Sequence, residues 1–421
     1  MSQKLQPVRG THDLLPEDSR KFRFIIEQAL SVAARYGYGE INTPIFEFSD
    51  VFHRTLGDTS DVVTKETYSF EDRGGEKLTL RPEFTASIAR SFISNSLQDS
   101  LPLKFFYSGP AFRYERPQKG RQRQFHQIGA ELLGVAEPLG DIETIALGAQ
   151  ILKVLGLGND KVKLEINTLG DTESRNNYRD ALVKYFRAHE TELSEDSKTR
   201  LAKNPLRILD SKDEGDRNII VNAPRMMDHL TPNASSYFSK VKEGLEDLGI
   251  LYEHNERIVR GLDYYNHTVF EFTTELLGAQ GTVLAGGRYD GLIEMMGGAP
   301  TAGIGWAAGI ERLASLIDFT GKIKIPRPIA MIPLGCPAEK EALKSTQWLR
   351  NEGFTVDLGY KGNLGNRMKK ANKANAVVAV IFGDAELEKQ AVLLKDLDKG
   401  TQEEIALSNL ISALAPYKDS H

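Results

Sequence analysis

The chain has 421 residues, of which 40% are hydrophobic and 26% are charged, and its formal net charge is −5. This length predicts two to four domains, and the composition is typical of a globular protein. The acidic balance gives no overall indication of nucleic-acid binding, so any such contact would need local basic patches. Because Cys336 is the single cysteine, a disulfide framework within one chain and a cysteine-based zinc site are both excluded.

The N-terminal residues contain no apolar run of the kind that forms a signal peptide. No stretch of the chain approaches the roughly 20 consecutive apolar residues that a membrane-spanning helix needs. We therefore expect a cytoplasmic protein without a membrane segment.

The first predicted element is a helix over residues 16–36. Pro16 and the acidic residues after it favour a helix start, and apolar residues then recur at helical spacing up to Tyr36. Gly37 and Gly39 end this pattern. The next segment, 40–48, reads as a strand interrupted by a proline, which is typical of an edge or an interface.

Residues 61–135 alternate strand signals with turns. In a strand, side chains an even number of residues apart point to the same face. Arg113 and Glu115 should therefore share one face of a strand, and Gln127 and Glu131 should share one face of the returning strand. A hairpin would gather these four polar groups on one surface, which is costly to bury without a ligand. A surface hairpin with solvated side chains remains the alternative.

Composition changes twice further along the chain. Polar residues and helical patterns dominate 171–250, which predicts an inserted helical subdomain between two parts of one domain, 1–170 and 251–325. After a proline-rich linker, strands alternate with helices over 327–421, which predicts a small α/β domain with a mostly parallel sheet.

Two segments combine charge, aromatic hydroxyl groups and glycine. The first is Arg260-Gly-Leu-Asp-Tyr-Tyr265, which leads into a strand; the second is Ala285-Gly-Gly-Arg-Tyr-Asp-Gly-Leu292. Paired glycines permit a tight turn or a close backbone approach to a ligand. The two segments therefore predict a pocket floor, and the alternative is a strand, turn and helix with tyrosine rings in a core.

A third segment, Gly303–Arg312, is a glycine-rich strand that runs directly into a helix. Its glycine spacing differs from the dinucleotide fingerprint, and no Gly-Lys-Ser/Thr follows, so it is not a P-loop. Arg312 in the first turns of the helix could reach a phosphate. The alternative is a tightly packed helix with a surface arginine.

These segments together resemble the motifs of class II aminoacyl-tRNA synthetases. The surroundings of Arg113 resemble motif 2 and Gly303–Arg312 resembles motif 3, while the helix at 16–36 and the strand after it resemble motif 1, the dimer interface of that class. The segments at 260–265 and 285–292 resemble the two histidine-specific motifs of the histidyl-tRNA synthetase family. The resemblance covers the chain from about residue 5 to its end.

The resemblance implies an α/β protein: an α+β catalytic domain with the class II antiparallel sheet flanked by helices, an inserted helical subdomain, and a C-terminal α/β anticodon-binding domain. It also implies a homodimer that joins L-histidine and ATP into histidyl-adenylate and then transfers histidine to tRNA(His). Mg²⁺ would be carried with ATP, and no protein metal ligand is predicted. His126 and His267 are read as structural.

The resemblance also assigns site residues. Arg113 and Arg260 would be catalytic. Histidine would contact Glu83, Thr85, Arg113, Gln127, Glu131, Arg260, Tyr264, Tyr265 and Tyr289. ATP would contact Arg113, Glu115, Arg121, Phe125 and Arg312. The tRNA would contact Arg116, Gln118, Arg123, Arg367, Lys370 and Lys373.

Two features bear on these assignments. Phe84 stands where many bacterial members of the family have glycine, next to the predicted Glu83 contact. Arg367, Lys370 and Lys373 recur at intervals of three on one helix, so we expect a single basic stripe, with a merely solvated helix face as the alternative.

Two other functions compete with the ligase. A related subunit senses histidine and regulates ATP phosphoribosyltransferase without catalysis, but such regulators tend to lose the arginine-containing histidine motif and the anticodon-binding domain, which this chain retains. The second competing function is that of a prolyl, threonyl or glycyl class II synthetase, and the segment at 260–265 argues against it.

Overall fold

A computed structural model describes residues 4–56, 66–116, 121–258 and 264–418, without the side chains of residues 210, 279 and 280. The chain divides into two compact units, Met1–Phe319 and Thr320–His421. Each unit is described by itself. In the described part of the chain, no helix combines the length and the apolar character that crossing a bilayer requires.

The first unit contains ten α-helices and eleven strands among its described residues. The helices are α1 (Pro16–Arg35), α2 (Ser49–Leu56), α3 (Thr85–Ser94), α4 (Pro138–Val154), α5 (Thr172–Ala188), α6 (Glu195–Lys203), α7 (Glu214–Ile220), α8 (Pro232–Asp247), α9 (Leu292–Met295) and α10 (Ile310–Leu316). The strands are β1 (Gly39–Glu40), β2 (Phe46–Phe48), β3 (Tyr68–Glu71), β4 (Lys77–Leu80), β5 (Leu103–Phe112), β6 (Gln124–Leu133), β7 (Lys163–Thr168), β8 (Tyr252–His254), β9 (Asn266–Thr273), β10 (Thr282–Arg288) and β11 (Gly303–Gly309).

An eight-stranded sheet in the order β1-β5-β6-β11-β10-β9-β7-β8 forms the centre of this unit. Its inner strands β5, β6, β11, β10, β9 and β7 pair antiparallel, and only the edge pairs β1–β5 and β7–β8 are parallel. Strands β2, β4 and β3 form a separate antiparallel sheet. The expectation of one interrupted strand over 40–48 is therefore wrong, because its two ends lie in different sheets.

The separation has a local cause. Pro44 has no N–H to donate to a sheet, and the carbonyl groups of Thr43 and Pro44 accept hydrogen bonds from the guanidinium of Arg81, at 2.8 and 3.3 Å. Arg81 is 3% exposed and also donates to the carbonyl of Pro110 at 2.8 Å. It thus ties the linker between the two sheets to strand β5.

One face of the large sheet packs on helices α1, α4, α8 and α10. Apolar residues of the strands, such as Ile128 and Phe270, meet helix residues such as Ile25, Ile145 and Phe238 in one continuous core. Each fully buried side chain of this kind contributes roughly 1.5–3 kcal/mol relative to exposure. The helices therefore cover this face of the sheet.

Most of the helices in the predicted insertion surround a smaller core of their own. Its buried members are Tyr178, Leu182, Phe186, Leu193, Leu201, Ile208, Ile219 and Met226. Helices α5, α6 and α7 begin at side-chain caps, in which Asp171, Ser194 and Asp213 accept main-chain N–H groups. Helix α8 also lies within 171–250, but it packs on α4 and joins the core of the large sheet.

The second unit is a small α/β domain, as the sequence predicts. Its strands are β12 (Ile329–Pro333), β13 (Val356–Leu358), β14 (Val378–Phe382), β15 (Ala391–Asp396) and β16 (Gln402–Ala406), and its helices are α11 (Cys336–Asn351), α12 (Leu364–Lys373), α13 (Asp384–Glu388) and α14 (Leu410–Leu414). The sheet order is β13-β12-β14-β15-β16. Only the first two pairs are parallel, so the expected mostly parallel sheet is half antiparallel. A short turn joins β15 to β16, which favours the antiparallel arrangement of that pair.

Candidate active site

The free face of the large sheet forms the floor of a cavity. Across the central strands, Glu131 pairs with Gly305, Gly305 with Gly287, and Ala307 with Ala285. Small residues thus occupy the middle of this face, where larger side chains would fill it. Glu131 and Gln127 lie on the same face of β6, as the two-residue period requires.

The glycines of this floor leave room for specific side chains. A Cβ atom on Gly305 would overlap the Glu131 carboxylate, one on Gly129 would overlap the Tyr107 ring, and one on Gly303 would overlap the Tyr289 ring. Each of these three side chains therefore occupies space that a side chain at the glycine would otherwise fill. No local pattern in the sequence reveals such a pairing across strands.

The tight turn that the sequence allows at residues 285–287, as one of two alternatives, is wrong. These residues lie inside β10 and pair with both β9 and β11. A Cβ on Gly286 would strike the main chain of β11, and one on Gly287 would come within 2.8 Å of the Tyr265 ring. The paired glycines allow close packing of strands and of a tyrosine ring, and they make no turn.

The cavity encloses about 340 Å³. It brings together most of the residues assigned to histidine and ATP. Its lining includes Glu83, Thr85, Arg113, Glu115, Arg121, Phe125, Gln127, Tyr264, Tyr265, Tyr289 and Arg312.

Glu131 does not itself line the cavity but bonds to two residues that do, and it is 1% exposed. Its carboxylate accepts hydrogen bonds from Thr85 Oγ1 at 2.8 Å and from the Tyr289 hydroxyl at 2.5 Å. Burial raises the pKa of Glu131 to about 8, although the bonds from Tyr289 and Thr85 favour its ionised form. A buried acid held by neutral donors is suited to a ligand that brings positive charge or a hydrogen-bond donor.

Glu83 has a second function in the fold. Its carboxylate accepts the main-chain N–H groups of Thr85 and Ala86, at 2.5 and 2.9 Å, at the start of α3. An acid at this position stabilises a helix N-terminus. Burial raises the pKa of Glu83, and the hydrogen bonds and the charge of Arg113 act in the opposite direction.

Three tyrosine rings form one wall. Tyr264 lies 4.6 Å from Tyr265 and 5.9 Å from Tyr289, measured between ring centroids, and all three are less than 10% exposed. Phe84 is stacked on Tyr107, with centroids 4.4 Å apart, and the Arg81 guanidinium lies 3.9 Å from the Phe84 centroid. Phe84 therefore packs beneath the Tyr107 side of the cavity.

The buried amide of Gln127 completes the floor. Its Oε1 atom has no hydrogen-bond partner among the described residues. Buried polar atoms are nearly always paired in proteins, so this amide is suited to a ligand.

Three arginines line the other end of the cavity. Arg113 donates to the carbonyl of Pro82 at 2.9 Å and lies 5.4 Å from the Phe125 ring centroid. Arg121 pairs with Glu115 at 2.9 Å. Burial lowers the pKa of Arg312, and the charges of Arg121 and Arg113 lower it further. This end of the cavity is therefore suited to an anion with several charges.

Two assigned residues, Arg260 and Gln118, lie outside the described residues. Strand β5 ends at Phe112, three residues before Glu115, so the predicted placement of Arg113 and Glu115 on one strand face is wrong, yet both side chains line the cavity. Arg116 is exposed, and the Arg123 guanidinium lies 4.0 Å from the Tyr114 ring centroid.

The expected basic stripe on α12 needs a correction. Arg367 is 6% exposed, and its guanidinium donates to the carbonyls of Gly362, at 2.8 Å, and Pro333. Lys370 and Lys373 are exposed. The arginine is therefore held by the main chain of its own unit and is not part of a solvent-exposed stripe with the two lysines.

Sequence reasoning missed several lining residues: Phe84 and Tyr107, and on the central strands Glu271, Thr282 and Trp306. Glu271 had a usable signal, because it is the one charged residue within the apolar segment of β9. Thr282 donates to Glu271 at 2.8 Å. In the described part of the chain, no group of three or more His, Cys, Asp or Glu side chains is placed to hold a metal ion.

Comparison with known proteins identifies the family. A family model described as histidyl-tRNA synthetase matches residues 10–313, and a model described as anticodon binding domain matches residues 329–416. This chain belongs to the histidyl-tRNA synthetase family. The cavity is thus in the region matched by the synthetase model, and α12 is in the region matched by the anticodon-binding model.

Individual relatives agree with this family. A histidine–tRNA ligase of Rhodospirillum rubrum is 58% identical over 413 residues, covering 98% of this chain and 99% of the relative. One of Gluconacetobacter diazotrophicus is 53% identical, covering 98% of each. The crystal structure of the apo histidyl-tRNA synthetase of S. aureus matches with a TM-score of 0.81 at 36% identity, covering 99% of this chain and 100% of that one. The predicted fold class is confirmed.

Proposed function

We propose that this chain is an ATP-dependent histidine–tRNA ligase, which forms histidyl-adenylate and pyrophosphate from L-histidine and ATP and then transfers histidine to the terminal ribose of tRNA(His). The observation that carries the proposal is a single cavity lined by tyrosine rings and three arginines, with the buried Glu131 carboxylate bonded to the lining residues Thr85 and Tyr289. An amino acid and a triphosphate need these two kinds of surroundings.

The first step joins two anions. A carboxylate oxygen of histidine attacks the α-phosphorus of ATP, a new P–O bond forms, and the bond to the β-phosphate oxygen breaks to release pyrophosphate. Arg113, Arg312 and, by the family resemblance, Arg260 would supply the positive charge that this transition state requires. No covalent intermediate with the protein is needed, so positioning and electrostatics carry the rate.

Histidine selection would follow from the hydrogen bonds of its ring. Glu131 and Tyr265 would bind the ring nitrogens. Glu83, Thr85 and Tyr264 would hold the α-amino group, and Gln127 its carboxylate. Tyr289 donates to Glu131 and fixes its position. A site of this kind rejects analogues that leave buried polar groups unpaired.

ATP would lie with its adenine on Phe125 and its phosphates toward Arg113 and Arg312, with Glu115 and Arg121 as further contacts. Mg²⁺ bound to ATP would prefer oxygen ligands and one or two carboxylates. Glu115 and Glu271 both line the cavity, so they are the residues that fit such an ion. When bound with ATP, the ion would neutralise phosphate charge.

For the tRNA, we assign the acceptor end to the loop with Arg116, Gln118 and Arg123, and the anticodon stem to Lys370 and Lys373, with Arg367 supporting their helix from within. The corresponding domains are 1–170 with 251–325 for catalysis, 171–250 as the insertion, and 327–421 for anticodon binding. Translation takes place in the cytoplasm, and we place the protein there.

An apolar face on the small sheet supports the proposed homodimer. Phe46 and Phe48 on β2 and Phe70 on β3 are 52, 58 and 46% exposed, and Phe48 and Phe70 pair with the same β4 residue, Leu78. Exposed aromatic clusters of this kind mark interfaces. We expect Phe48→Asp to shift the protein from dimer to monomer in light scattering after gel filtration. Leu139→Asp, on helix α4 at a residue that is 72% exposed, is the control that should stay dimeric.

The regulatory alternative is favoured by no finding. A structure from Bacillus halodurans that carries both names, regulatory subunit and synthetase, matches at 24% identity with a TM-score of 0.64. That similarity shows the fold alone.

The decisive experiment is ATP–pyrophosphate exchange with each of the twenty amino acids. We expect exchange with histidine alone, and exchange with a different amino acid, or with none, would contradict the proposal. Arg260→Ala should nearly abolish histidine-dependent exchange while histidine binding persists in part. Exchange at the wild-type rate in that variant would remove Arg260 from catalysis.

A further inference from the structure

Glu311 and His126 form a contact that the proposed reaction has not used. Glu311 is the second residue of α10, and His126 is the third residue of β6. The Glu311 carboxylate accepts the main-chain N–H of His126 with both oxygens, at 2.9 and 3.0 Å. It also lies 3.0 Å from His126 Nδ1. One carboxylate thus holds both the backbone and the ring of the same residue.

The contact lies directly beyond the last main-chain pairing between β6 and β11. Strand β11 pairs with β6 as far as Gly309, which lies opposite Gln127. The chain then turns into α10, so that the next acceptor for β6 on this side is the carboxylate of Glu311. The Glu311 and His126 side chains are 13 and 21% exposed, so they are partly shielded from water.

Residues on either side of this contact face the cavity. Phe125 and Gln127 flank His126 in sequence, and both line the cavity, as does Arg312, the residue after Glu311. The His126 ring lies on the opposite side of β6 and meets the edge of the Phe22 ring, with centroids 5.4 Å apart. Arg312 is held separately by a bond to the carbonyl of Thr282 at 2.5 Å.

We infer that Glu311, through its contact with His126, is a positioning residue that fixes the Phe125 ring relative to the Arg312 guanidinium. It would thereby set the positions of the adenine, on Phe125, and of the phosphates, at Arg312, in bound ATP. The inference rests on the proposed function. Neither Glu311 nor His126 lines the cavity described above, so their effect passes through the neighbours.

The histidine end has its own supports. Glu131 lies on the same strand as His126, but it is held by Thr85 and Tyr289 and by the space over Gly305. Of the residues assigned to histidine, Gln127 adjoins His126, whereas the ATP residues Phe125 and Arg312 adjoin both partners of the contact. Loss of the Glu311 contact should therefore disturb ATP binding more than histidine binding. A general loss of folding would affect both.

The test uses the full-length protein and three variants: Glu311→Ala, Glu311→Gln and His126→Ala. Exchange is measured with ATP varied at saturating histidine, and with histidine varied at saturating ATP. Glu311→Ala leaves a shielded N–H without its charged acceptor, so we expect its KM for ATP to rise about tenfold or more. Its KM for histidine should change by less than about twofold.

The two milder variants each keep half of the contact. Glutamine retains an oxygen for the main-chain N–H, and His126→Ala retains the main-chain bond itself, so each should raise the KM for ATP by only about threefold. An unchanged KM for ATP in Glu311→Ala, or an equal rise in both KM values, overturns the inference. If Glu311→Ala fails to fold, an unchanged KM for ATP in His126→Ala overturns the inference instead. Absence of histidine-dependent exchange in the wild type would instead overturn the proposed function.

Discussion

In the first unit, Arg113, Arg121 and Arg312 line an inner cavity, whereas in the second unit Lys370 and Lys373 are exposed on helix α12. The cavity arginines are held by main-chain carbonyls or a carboxylate. A cation fixed and partly desolvated in this way acts strongly over a short distance. Exposed lysines attract the phosphates of a polyanion such as RNA, and salt screens this attraction.

The difference separates two kinds of recognition. Positions in the cavity are set by hydrogen bonds, so single substitutions there should change rates by orders of magnitude. Charges on α12 should act additively, with small effects that depend on salt. The following predictions test this contrast.

The largest effect is expected for Arg113→Ala. Removing one fixed cation from a site of developing charge typically costs about 10²–10³ in rate, and we expect a loss of this size in histidine-dependent pyrophosphate exchange. Arg73→Ala, at an exposed turn residue, is the matched control and should leave exchange unchanged. A loss below about fivefold for Arg113→Ala would mean that the cavity cations are no more important than surface ones.

Glu131→Gln should separate binding from stability. The pKa of Glu131 is raised from 4.5 to about 8, so the folded protein holds a proton that the unfolded chain releases. Stability should therefore fall as pH rises from about 4.5 to 8. The Gln variant lacks this cost, and its melting temperature should exceed that of the wild type by a few degrees at pH 8 but not at pH 4.5.

The same variant should lose histidine-dependent exchange by about 10²-fold or more, because the proposed ring contact is removed. The measurements are thermal unfolding at several pH values and exchange at saturating ATP. A stability gain that does not depend on pH would show that Glu131 is ionised throughout. Unimpaired exchange would remove it from histidine binding.

Lys370→Ala combined with Lys373→Ala should raise the KM for tRNA about tenfold at low salt, and the difference should shrink as salt is added. Pyrophosphate exchange without tRNA should not change. Lys340→Ala with Lys344→Ala, at exposed positions of α11, is the matched pair. Equal effects of both pairs would indicate a general charge effect and contradict the assignment to α12.

Arg367→Ala should act through stability. Its guanidinium satisfies the carbonyls of Gly362 and Pro333, and breaking such buried bonds typically costs about 1–3 kcal/mol. We expect a lower melting temperature, measured by calorimetry, while Lys370→Ala melts like the wild type. A weakened tRNA interaction in Arg367→Ala without any loss of stability would restore the arginine to the binding surface.

Sequence patterns predicted the parts of the fold that depend on interactions between residues close together in the chain. Helix α1 and the passage from β11 into α10 follow from apolar spacing and glycine placement in consecutive residues. Most of the site followed from the family resemblance, since Glu83, Tyr289 and Arg312 are far apart in sequence and line one cavity only through the sheet.

What the sequence could not predict depends on partners distant in the chain. The glycines of β10 read as a turn because nothing nearby shows that β11 and Tyr265 pack against them. Tyr107 lies in β5, within the stretch of predicted strands and turns, but its direction into the cavity depends on the absence of a side chain at Gly129. Arg367 has helical spacing to the lysines, yet a carbonyl at the end of β12 draws it inward.

The pairing of Gly303 with Tyr289 restricts the order in which this pocket can evolve. The three atoms nearest to a Cβ on Gly303 all belong to the Tyr289 ring. Alanine at 303 is thus harmful while tyrosine stays at 289, but the same alanine fits once residue 289 has become small. We therefore expect the effect of alanine at 303 to depend on residue 289, so that a lineage that acquires this alanine must change residue 289 first.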